Sequence, residues 1–298
     1  MTTLRDMGED ALIARLVELV PRDPDPLAGP GDDCAVIDSG CGELLLLKTD
    51  AMVAGVHFLA ETPAEAVGWK AVARVVSDIA AMGGKPRYFL VTLALQAGTP
   101  LEWVDGLYRG IGRCLRAHHS FLAGGETSRV PTGSAAVISI SATGSVARER
   151  LTLRSTAKAG DVILVTGTLG GSLRTGKHLG FTPRLKEADW LVSKYKPTAM
   201  MDISDGLAKD LPRMAVASGC GFVLERGGLP VTAGCDSAQA LNDGEDFELL
   251  LAVEPAKLPG LLEEWPAAFP DVPLTAVGRM VEECLGESLS GGWDHFAD

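Results

Sequence analysis

The chain has 298 residues, of which 46% are hydrophobic and 22% are charged, and its formal net charge is −12 at pH 7. This composition excludes a disordered protein and argues against nucleic acid or a membrane surface as a partner, because both are anionic and would repel an acidic protein without a basic patch. The length favours two domains of ordinary size.

The cysteines and the first residues of the chain indicate the cellular compartment. The six cysteines form no C-x-x-C pair and no zinc-like spacing with the five histidines, so we expect reduced, buried thiols. The amino terminus is acidic where a signal peptide would be basic, and no apolar run reaches membrane-spanning length. The sequence therefore predicts a cytoplasmic protein.

The first half of the chain alternates between helical and strand patterns. Apolar spacing predicts a helix over 9–20, the proline- and glycine-rich stretch 21–33 predicts a loop, and the apolar run at 42–50 predicts a strand with a polar end. Pro63 and the glycine pair after Met82 delimit a long helix. The remaining predicted elements are a strand at 87–96, a helix at 101–119 and a strand at 134–146.

The second half repeats this alternation. It predicts strands at 161–167, 221–225, 247–253 and 274–280, and helices at 184–194 and 205–217. Between the halves, residues 148–160 are polar and lack a strong period. The sequence therefore predicts an α/β (α+β) protein with domains at 1–150 and 151–298.

A glycine-rich turn follows the predicted strand 161–167. Gly171, Gly176 and Lys177 match the G-x-x-x-x-G-K pattern of a phosphate-binding P-loop. A P-loop needs serine or threonine after the lysine, and His178 is a poor ligand for magnesium. We therefore favour an ordinary strand-to-helix turn, although backbone amides at such a turn can contact a phosphate.

Acidic residues recur at predicted turns and strand ends. They are Asp32 and Asp33 in GDD, Asp50 in KTD, Asp78 in VVSDIAAM, Glu126 in GGETS, and Asp202 and Asp205 in DISDG. Taken singly, most of them read as turn formers or helix caps. Asp78 differs, because it lies inside an apolar predicted helix where an unpaired carboxylate is costly. A cluster rich in oxygen and poor in nitrogen and sulfur suits several Mg²⁺ ions rather than zinc.

The motifs as a set resemble those of the thiamine-monophosphate kinase family, in the aminoimidazole-ribonucleotide-synthetase-like superfamily. In chain order they are PGDDCAVI, LLKTDAMVAGVHF, EAVGWKAVARVVSDIAAMGG, LAGGETS, MMDISDGLAKDL, ALNDGEDFELLLAV and GWDHF. The resemblance implies a two-domain α/β fold whose N-terminal domains pair in a homodimer. It also implies Mg²⁺-dependent phosphorylation of thiamine monophosphate by ATP, giving thiamine diphosphate.

The resemblance further implies roles for individual residues. The implied metal ligands are Asp33, Thr49, Asp50, Asp78, Glu126, Asp202 and Asp205. Of these, the implied catalytic residues are Asp50, Asp78 and Asp205. The implied ATP contacts are Tyr108, Gly125, Glu126, Arg154 and Ser204, and the implied acceptor contacts are His57, Glu245 and Trp293. Ordinary structural roles stay open for several of them, such as packing for Tyr108 or a solvated linker charge for Arg154.

The chain departs from the family's pattern in three places, and these bear on the expected chemistry. GGET stands in place of the commoner GGDT, and RSTAKAG replaces R-S-G-A-x-P-G. The segment 171–183 is shorter than the helical segment that the family has there. A phosphate acceptor is already partly dianionic near neutral pH, with a second pKa of about 6, so we expect direct in-line transfer without a general base. The alternatives are a superfamily enzyme with another acceptor and a nucleotide-binding regulator without turnover.

Overall fold

We describe the fold from a computed structural model, which covers residues 3–21, 27, 29–40 and 42–296. Two five-stranded sheets form its framework, one from each half of the chain. Helices pack on both sheets, so the mixed helix-and-sheet fold predicted from the alternating patterns is confirmed. Among the described residues, no helix combines the length and the apolar character that crossing a membrane requires.

The N-terminal sheet has the strand order β1-β2-β5-β3-β4, and its neighbours are antiparallel except for the parallel pair β3 and β4. The elements of this half are α1 (Leu4–Met7), α2 (Glu9–Val17), β1 (Ala35–Ile37), β2 (Leu44–Val53), α3 (Ala64–Ala81), β3 (Lys85–Gln96), α4 (Leu101–Ala117), β4 (Phe121–Val130) and β5 (Val137–Val146).

The C-terminal sheet has the order β7-β9-β6-β10-β8, and all of its pairs are antiparallel. The elements of this half are β6 (Val162–Thr166), α5 (Ser172–Thr175), α6 (Lys177–Gly180), α7 (Leu185–Lys194), β7 (Ala199–Ile203), α8 (Leu207–Ala217), β8 (Cys220–Leu224), α9 (Ser237–Asn242), β9 (Glu248–Val253), α10 (Leu258–Ala268) and β10 (Leu274–Glu282). Short 3₁₀ turns lie at Arg148–Arg150, Arg226–Gly228, Pro255–Lys257 and Glu283–Leu285.

Helix α3 packs against both halves of the chain. Its Ile79 belongs to the core of the N-terminal sheet, whereas Ala80 and Ala81 pack with Leu164 of the C-terminal sheet. A helix that is apolar on most of its surface is buried on most of its surface. Asp78, in the last turns of this helix, is therefore held between the two halves.

Glycine allows α3 and α4 to cross at short range. A Cβ atom on Gly68 would lie 2.0 Å from the carbonyl oxygen of Leu107, and one on Gly110 would lie 2.0 Å from the carbonyl oxygen of Glu65. Real Cβ atoms do not approach backbone oxygens so closely, so any larger residue would push the helices apart. These two glycines therefore set the spacing of the helix layer on the N-terminal sheet.

The other face of the N-terminal sheet is open in the single chain. Ile138 and Ile140 of β5 are buried under the helices, while the alternate side chains of the sheet point the opposite way. On that open face, Tyr88 and Leu90 are each 47% exposed and Phe121 is 56% exposed. A sheet with apolar side chains on an uncovered face is typical of a protein interface.

The structure corrects several sequence-based expectations. GGETS is not a turn or strand end but the middle of β4, which the sequence hides because Gly124 and Gly125 are poor strand formers. Strand β2 continues beyond Asp50 to Val53. Parts of the predicted loop at 21–33 lie outside the described residues. Residues 147–161 connect the two sheets, and the domain boundary at 150/151 stays a prediction.

The cysteines that the structure describes are free thiols but are not all buried. Cys34 and Cys114 are buried, Cys220 and Cys235 are half-buried, and the Cys284 side chain is exposed, while Cys41 lies outside the described residues. The expectation of reduced thiols agrees with these described cysteines. The expectation of burial is wrong for Cys284, which follows β10 in an exposed 3₁₀ turn.

Candidate active site

Three carboxylates that are far apart in the sequence converge in the structure. Asp33 precedes β1, Asp78 lies on α3 and Asp202 lies on β7. One oxygen of each lies within 4.8 Å of the others, and all three residues are buried. The Oδ2 atom of Asp33 is buried without a hydrogen-bond partner in the part of the chain that the structure describes. An all-oxygen cluster with an unsatisfied oxygen fits a hard cation such as Mg²⁺.

Two polar side chains support this carboxylate cluster. The Lys48 ammonium of β2 donates to Asp78 Oδ1 at 2.7 Å, and the Ser77 hydroxyl donates to Asp202 Oδ2 at 2.6 Å. Neither was singled out from the sequence. The sequence feature that could have identified them is their position, because each is a polar residue in an otherwise apolar stretch close to an acidic residue.

Burial raises the pKa values of Asp78 and Asp202. Desolvation, with Asp33 nearby, raises the pKa of Asp202 to about 7. Desolvation also raises the pKa of Asp78 well above its usual range, although the Lys48 ammonium opposes this shift. Carboxylates packed this closely resist ionising together, and a divalent cation removes that obstacle. The electrostatics therefore suit a divalent cation.

Arg154 closes one side of the cluster. Its guanidinium contacts Asp33 directly, and its Nε atom lies 3.6 Å from Asp32 Oδ1. The Arg154 backbone amide also donates to Asp32 Oδ2 at 3.1 Å. Burial, with Asp33 nearby, raises the pKa of Asp32 to about 6. Arg154 is therefore a buried cation at the cluster rather than a solvated linker charge.

Thr49 and Asp50 do not reach the three-carboxylate cluster. The Asp50 carboxylate pairs with Arg74 of α3, its Oδ2 atom lying 3.1 Å from Arg74 Nε. The Thr49 hydroxyl lies 3.1 Å from the Ser141 hydroxyl on the open face of the sheet. Successive side chains of a strand point to opposite faces, so these neighbours serve different surfaces.

Ser204 and Asp205 follow β7 and are held by a carboxylate that sequence reasoning missed. The backbone amides of both residues donate to Asp210 Oδ2, each at 3.0 Å. Asp210 is fully buried, and desolvation, with Asp205 nearby, raises its pKa to about 8. The Asp205 side chain is paired with Arg213 at 2.6 Å. Asp205 is thus anchored close to the cluster without joining it.

A cleft of about 850 Å³ runs past these groups. Asp33, Asp78, Asp202, Arg154 and Ser204 line it, and helix α2 forms part of its wall. The volume is in the range of small-molecule and cofactor sites. The cleft therefore has the size and the carboxylate lining expected for a nucleotide with bound cations.

A second cavity, of about 70 Å³, lies beside the cleft. It brings together His57, Glu245 and Trp293, the three residues for which the sequence implied acceptor contacts. Ser204 and Asp205 line both cavities, so the two spaces meet at this dipeptide. This small cavity is called the acceptor pocket below.

His57 presents a neutral ring to the acceptor pocket. Burial and the nearby Arg74 guanidinium lower the pKa of His57 to about 4. The ring Nδ1 atom accepts a hydrogen bond from the Val53 amide at 3.1 Å, so the proton of the neutral ring resides on Nε2. His295, missed from the sequence although it lies in GWDHF, also lines the pocket, with its ring centroid 5.4 Å from that of His57.

Glu245 is held in place by a fully buried lysine. The Lys70 ammonium donates to Glu245 Oε2 and to the His57 carbonyl oxygen, both at 2.7 Å. Glu245 and Phe247 have φ values of 53° and 50°, in the left-handed region that non-glycine residues seldom adopt. Such strain persists only where surrounding contacts impose it. Lys70 was not singled out from the sequence, although a cation inside an apolar predicted helix is unusual.

The glycine-rich turn after β6 binds the chain's own carboxylates. The Gly170 amide donates to Asp246 at 3.0 Å, and the Gly171 amide donates to Asp243 at 2.7 Å. The Lys177 ammonium donates to Glu248 Oε1 at 2.9 Å. Groups that a P-loop would offer to a phosphate are therefore occupied by acidic side chains of residues 243–248. This arrangement agrees with an ordinary turn.

Tyr108, Gly125 and Glu126 lie away from both cavities. Glu126 pairs with Thr92, Thr92 pairs with Ser139, and Ser139 pairs with Ala51, so three strand spacings of about 4.8 Å each separate Glu126 from β2. Tyr108 lies on α4 and is 36% exposed. In the described part of a single chain, none of these three lines the cleft or the acceptor pocket.

Comparisons with known proteins agree with this architecture. The family models "AIR synthase related protein, N-terminal domain" and "AIR synthase related protein, C-terminal domain" match residues 31–146 and 158–287. The thiamine-monophosphate kinase of Synechococcus elongatus is 36% identical over 291 residues, covering 88% of this chain and 86% of that protein. The thiamine-monophosphate kinase of Rhodopirellula baltica is 36% identical over 293 residues, covering 92% and 89%.

A solved structure shares the fold over almost the whole chain. It is described as AaThiL complexed with AMPPCP and TMP, and it matches with a TM-score of 0.84 and 29% identity, covering 99% of each chain. The family resemblance and the two-domain fold inferred from the sequence motifs are therefore confirmed. On these matches, the chain belongs to the thiamine-monophosphate kinase family of AIR synthase related proteins.

Proposed function

We propose that this protein transfers the terminal phosphoryl group of ATP to the phosphate of thiamine monophosphate, giving thiamine diphosphate and ADP. Relatives at 36% identity are thiamine-monophosphate kinases, and the similar AaThiL structure holds AMPPCP and TMP. The observation that carries the proposal is the shared wall at Ser204 and Asp205. Donor and acceptor phosphates can meet there if ATP fills the cleft and the acceptor fills the pocket.

The cleft supplies the groups that a nucleotide triphosphate needs. Asp33, Asp78 and Asp202 are proposed as Mg²⁺ ligands, with Asp50 and Asp205 completing the set beside the cluster. Mg²⁺ bound there neutralises phosphate charge and orients the transferring group. The Arg154 guanidinium contributes a fixed cation for the triphosphate, with Ser204 at the junction.

The acceptor pocket matches the chemistry of thiamine monophosphate. Trp293 and Glu245 suit a cationic aromatic ring through ring-face and charge attraction. His57 offers a neutral Nε2–H donor that is positioned by the Val53 amide. The acceptor oxygen is already anionic near neutral pH, so the chain needs to position it rather than deprotonate it.

The open sheet face supports a homodimer with shared sites. Glu126 pairs with Thr92 and shares the open face with Tyr88, Leu90 and Phe121. It is too far across the sheet to reach its own carboxylate cluster. Two copies that pack through this face bury its apolar side chains and bring Glu126 and Gly125 of one protomer towards the other protomer, whereas Tyr108 lies on α4 of the helix layer and stays a predicted ATP contact. The free described cysteines and the use of ATP fit a cytoplasmic enzyme.

Release of ADP tests the proposed reaction. We expect release that requires both Mg²⁺ and thiamine monophosphate, with thiamine diphosphate formed in equal amount and no phosphorylated protein. Binding of ATP without turnover would support a regulator instead. Turnover only with other phosphate, amide or carbamoyl acceptors would support another enzyme of the superfamily.

A further inference from the structure

Arg74 of α3 lies at the wall between the acceptor pocket and the metal site. Its side chain is 12% exposed and lines the pocket together with His57, Ser204 and Asp205. Its position places a permanent cation where the pocket approaches the nucleotide cleft. A buried guanidinium at such a wall is well placed for an anion that enters the pocket.

The present partners of Arg74 leave part of its hydrogen-bonding capacity unused. Its Nη2 atom donates to Asp50 Oδ1 at 3.2 Å, and its Nη1 atom donates to the Ala51 carbonyl oxygen at 3.3 Å. The Nε atom is buried and lies 3.1 Å from Asp50 Oδ2, an ion-pair contact that is not aligned as a hydrogen bond. Both donated bonds are long for charge-assisted ones, which run about 2.7–2.9 Å. The guanidinium is therefore only loosely satisfied.

The charges of the acceptor pocket are divided between its walls. Asp243 and Glu245 provide carboxylates from the loop before β9, whereas Arg74 provides a cation from α3. Asp205, which is paired with Arg213, provides a further carboxylate at the junction with the cleft. The other nearby cation, Lys70, is committed to Glu245 and to the His57 carbonyl oxygen. A ligand with a cationic ring and an anionic phosphate complements this division. The phosphate end then lies at the junction with the cleft.

We propose that Arg74 binds the phosphate of the acceptor and thereby selects phosphorylated thiamine over free thiamine. This inference rests on the proposed function. In the chain alone, the Asp50 carboxylate serves as the counter-ion of Arg74. If Asp50 were to ligate a divalent cation, the Arg74 guanidinium would be available to two oxygens of the acceptor phosphate, a geometry that arginine favours.

Binding measurements on Arg74→Met and Arg74→Lys test this role. Affinities for thiamine monophosphate and for thiamine are measured by calorimetry with Mg²⁺ and AMPPCP present. We expect Arg74→Met to weaken thiamine monophosphate binding at least about tenfold, because it removes charge-assisted hydrogen bonds to the phosphate, and to leave thiamine binding unchanged. Arg74→Lys should restore part of the loss, because it keeps the charge without the planar fork.

Arg109→Met is the matched control, because Arg109 makes an exposed ion pair with Glu65 on the helix layer. It should change neither affinity. An equal loss of thiamine and thiamine monophosphate binding in Arg74→Met would overturn the proposal. A second outcome would also overturn it. If Arg74→Met left the ratio of the two affinities unchanged but weakened the binding of Mg²⁺ or AMPPCP, Arg74 would be a positioning residue for Asp50. If the wild-type protein neither binds nor phosphorylates thiamine monophosphate, the proposed function itself fails, and the role of Arg74 fails with it.

Discussion

Asp78 shows how a single residue can conflict with its local sequence and still be stable. It lies in an apolar helix and is buried, yet Lys48 donates to it and Asp33 and Asp202 lie close by. Burying a carboxylate costs several kcal/mol unless a cation or hydrogen bonds compensate. The Lys48 ammonium, which comes from another element, therefore offsets part of this cost, whereas the nearby Asp33 and Asp202 carboxylates add to it, a conflict that is usual at functional sites.

Replacing Asp78 with asparagine tests the metal site. We expect Asp78→Asn to lower kcat at least about 100-fold, because the substitution removes a proposed Mg²⁺ ligand. We also expect the metal-free variant to melt at or above the wild-type temperature, because the substitution removes a buried carboxyl group whose pKa is raised. Steady-state assays and thermal unfolding in chelator measure both. The control is Asp38→Asn, at an exposed carboxylate that pairs with Arg148. Wild-type turnover by Asp78→Asn would remove this residue from the site.

The buried ring of His57 predicts the pH dependence of stability. Its pKa is about 4 in the folded chain and about 6.5 unfolded, so the folded protein holds the neutral ring. The stability associated with that neutral ring is present above pH 6.5 and is lost as the pH falls towards 4. Between these two pH values, the free energy of unfolding measured in urea should fall less steeply with decreasing pH in His57→Gln than in the wild type. Equal slopes would contradict a neutral, buried ring.

At the scale of elements, the loop between α9 and β9 is shaped by contacts with the turn after β6. Two non-glycine residues of this loop are left-handed, and the Gly170 and Gly171 amides bind Asp246 and Asp243. The Ser172 hydroxyl donates to the Glu245 carbonyl oxygen at 2.6 Å. The glycine-rich turn thus holds the loop that carries Glu245 into the acceptor pocket.

Lys177→Met tests this holding role. The Glu248 partner of Lys177 is 1% exposed, so loss of the ammonium removes one of the two cations paired with this buried carboxylate and leaves it with Arg184 and the Thr166 hydroxyl. We expect a loss of about 3 kcal/mol of unfolding free energy, together with a larger rise in KM for the acceptor than for ATP. Urea unfolding and steady-state kinetics measure the two effects. Lys194→Met, which removes an exposed pair with Glu264, should change stability by less than about 1 kcal/mol.

At the scale of the whole molecule, the site exists only where the two halves meet. Asp33 and Asp78 come from the N-terminal half and Asp202 from the C-terminal half, while Ser77 of α3 donates across to Asp202. The open sheet face points to a role for a second chain, because Glu126 lies on a surface that a single chain leaves uncovered. The assembly is thus expected to determine activity as well as stability.

Mixing two inactive variants tests whether sites are shared between protomers. Asp78→Asn and Glu126→Gln are each expected to lose most activity. If Glu126 serves the other protomer's cleft, a mixed dimer has one site with both changes and one site with neither, so unfolding and refolding the two together should restore activity. Refolding each alone is the control. No restoration, despite mixed dimers seen by mass spectrometry, would place Glu126 in its own chain's site or outside the site.

The sequence by itself determined the elements whose signals are local. Helix α3 matches its prediction almost residue for residue, because Pro63 and the glycine pair after Met82 mark its ends within the chain. The motifs were sufficient for the family, because their order and spacing are linear properties. Strand β4 was missed, since its pairing with β3 outweighs the weak strand propensity of its glycines.

Only the tertiary structure decided which acidic residues share a site. Asp33, Asp78 and Asp202 converge, while Asp50 pairs with Arg74 and Asp205 pairs with Arg213, although all five are acidic residues in short motifs and only Asp78 stood out in the sequence. Lys48 and Lys70 gained their importance from partners far away along the chain that no local pattern reveals, whereas Asp210 accepts from the amides of Ser204 and Asp205 only a few residues before it. Electrostatic and hydrogen-bonding interactions act over a few ångströms in space, and the sequence gives distances only along the chain.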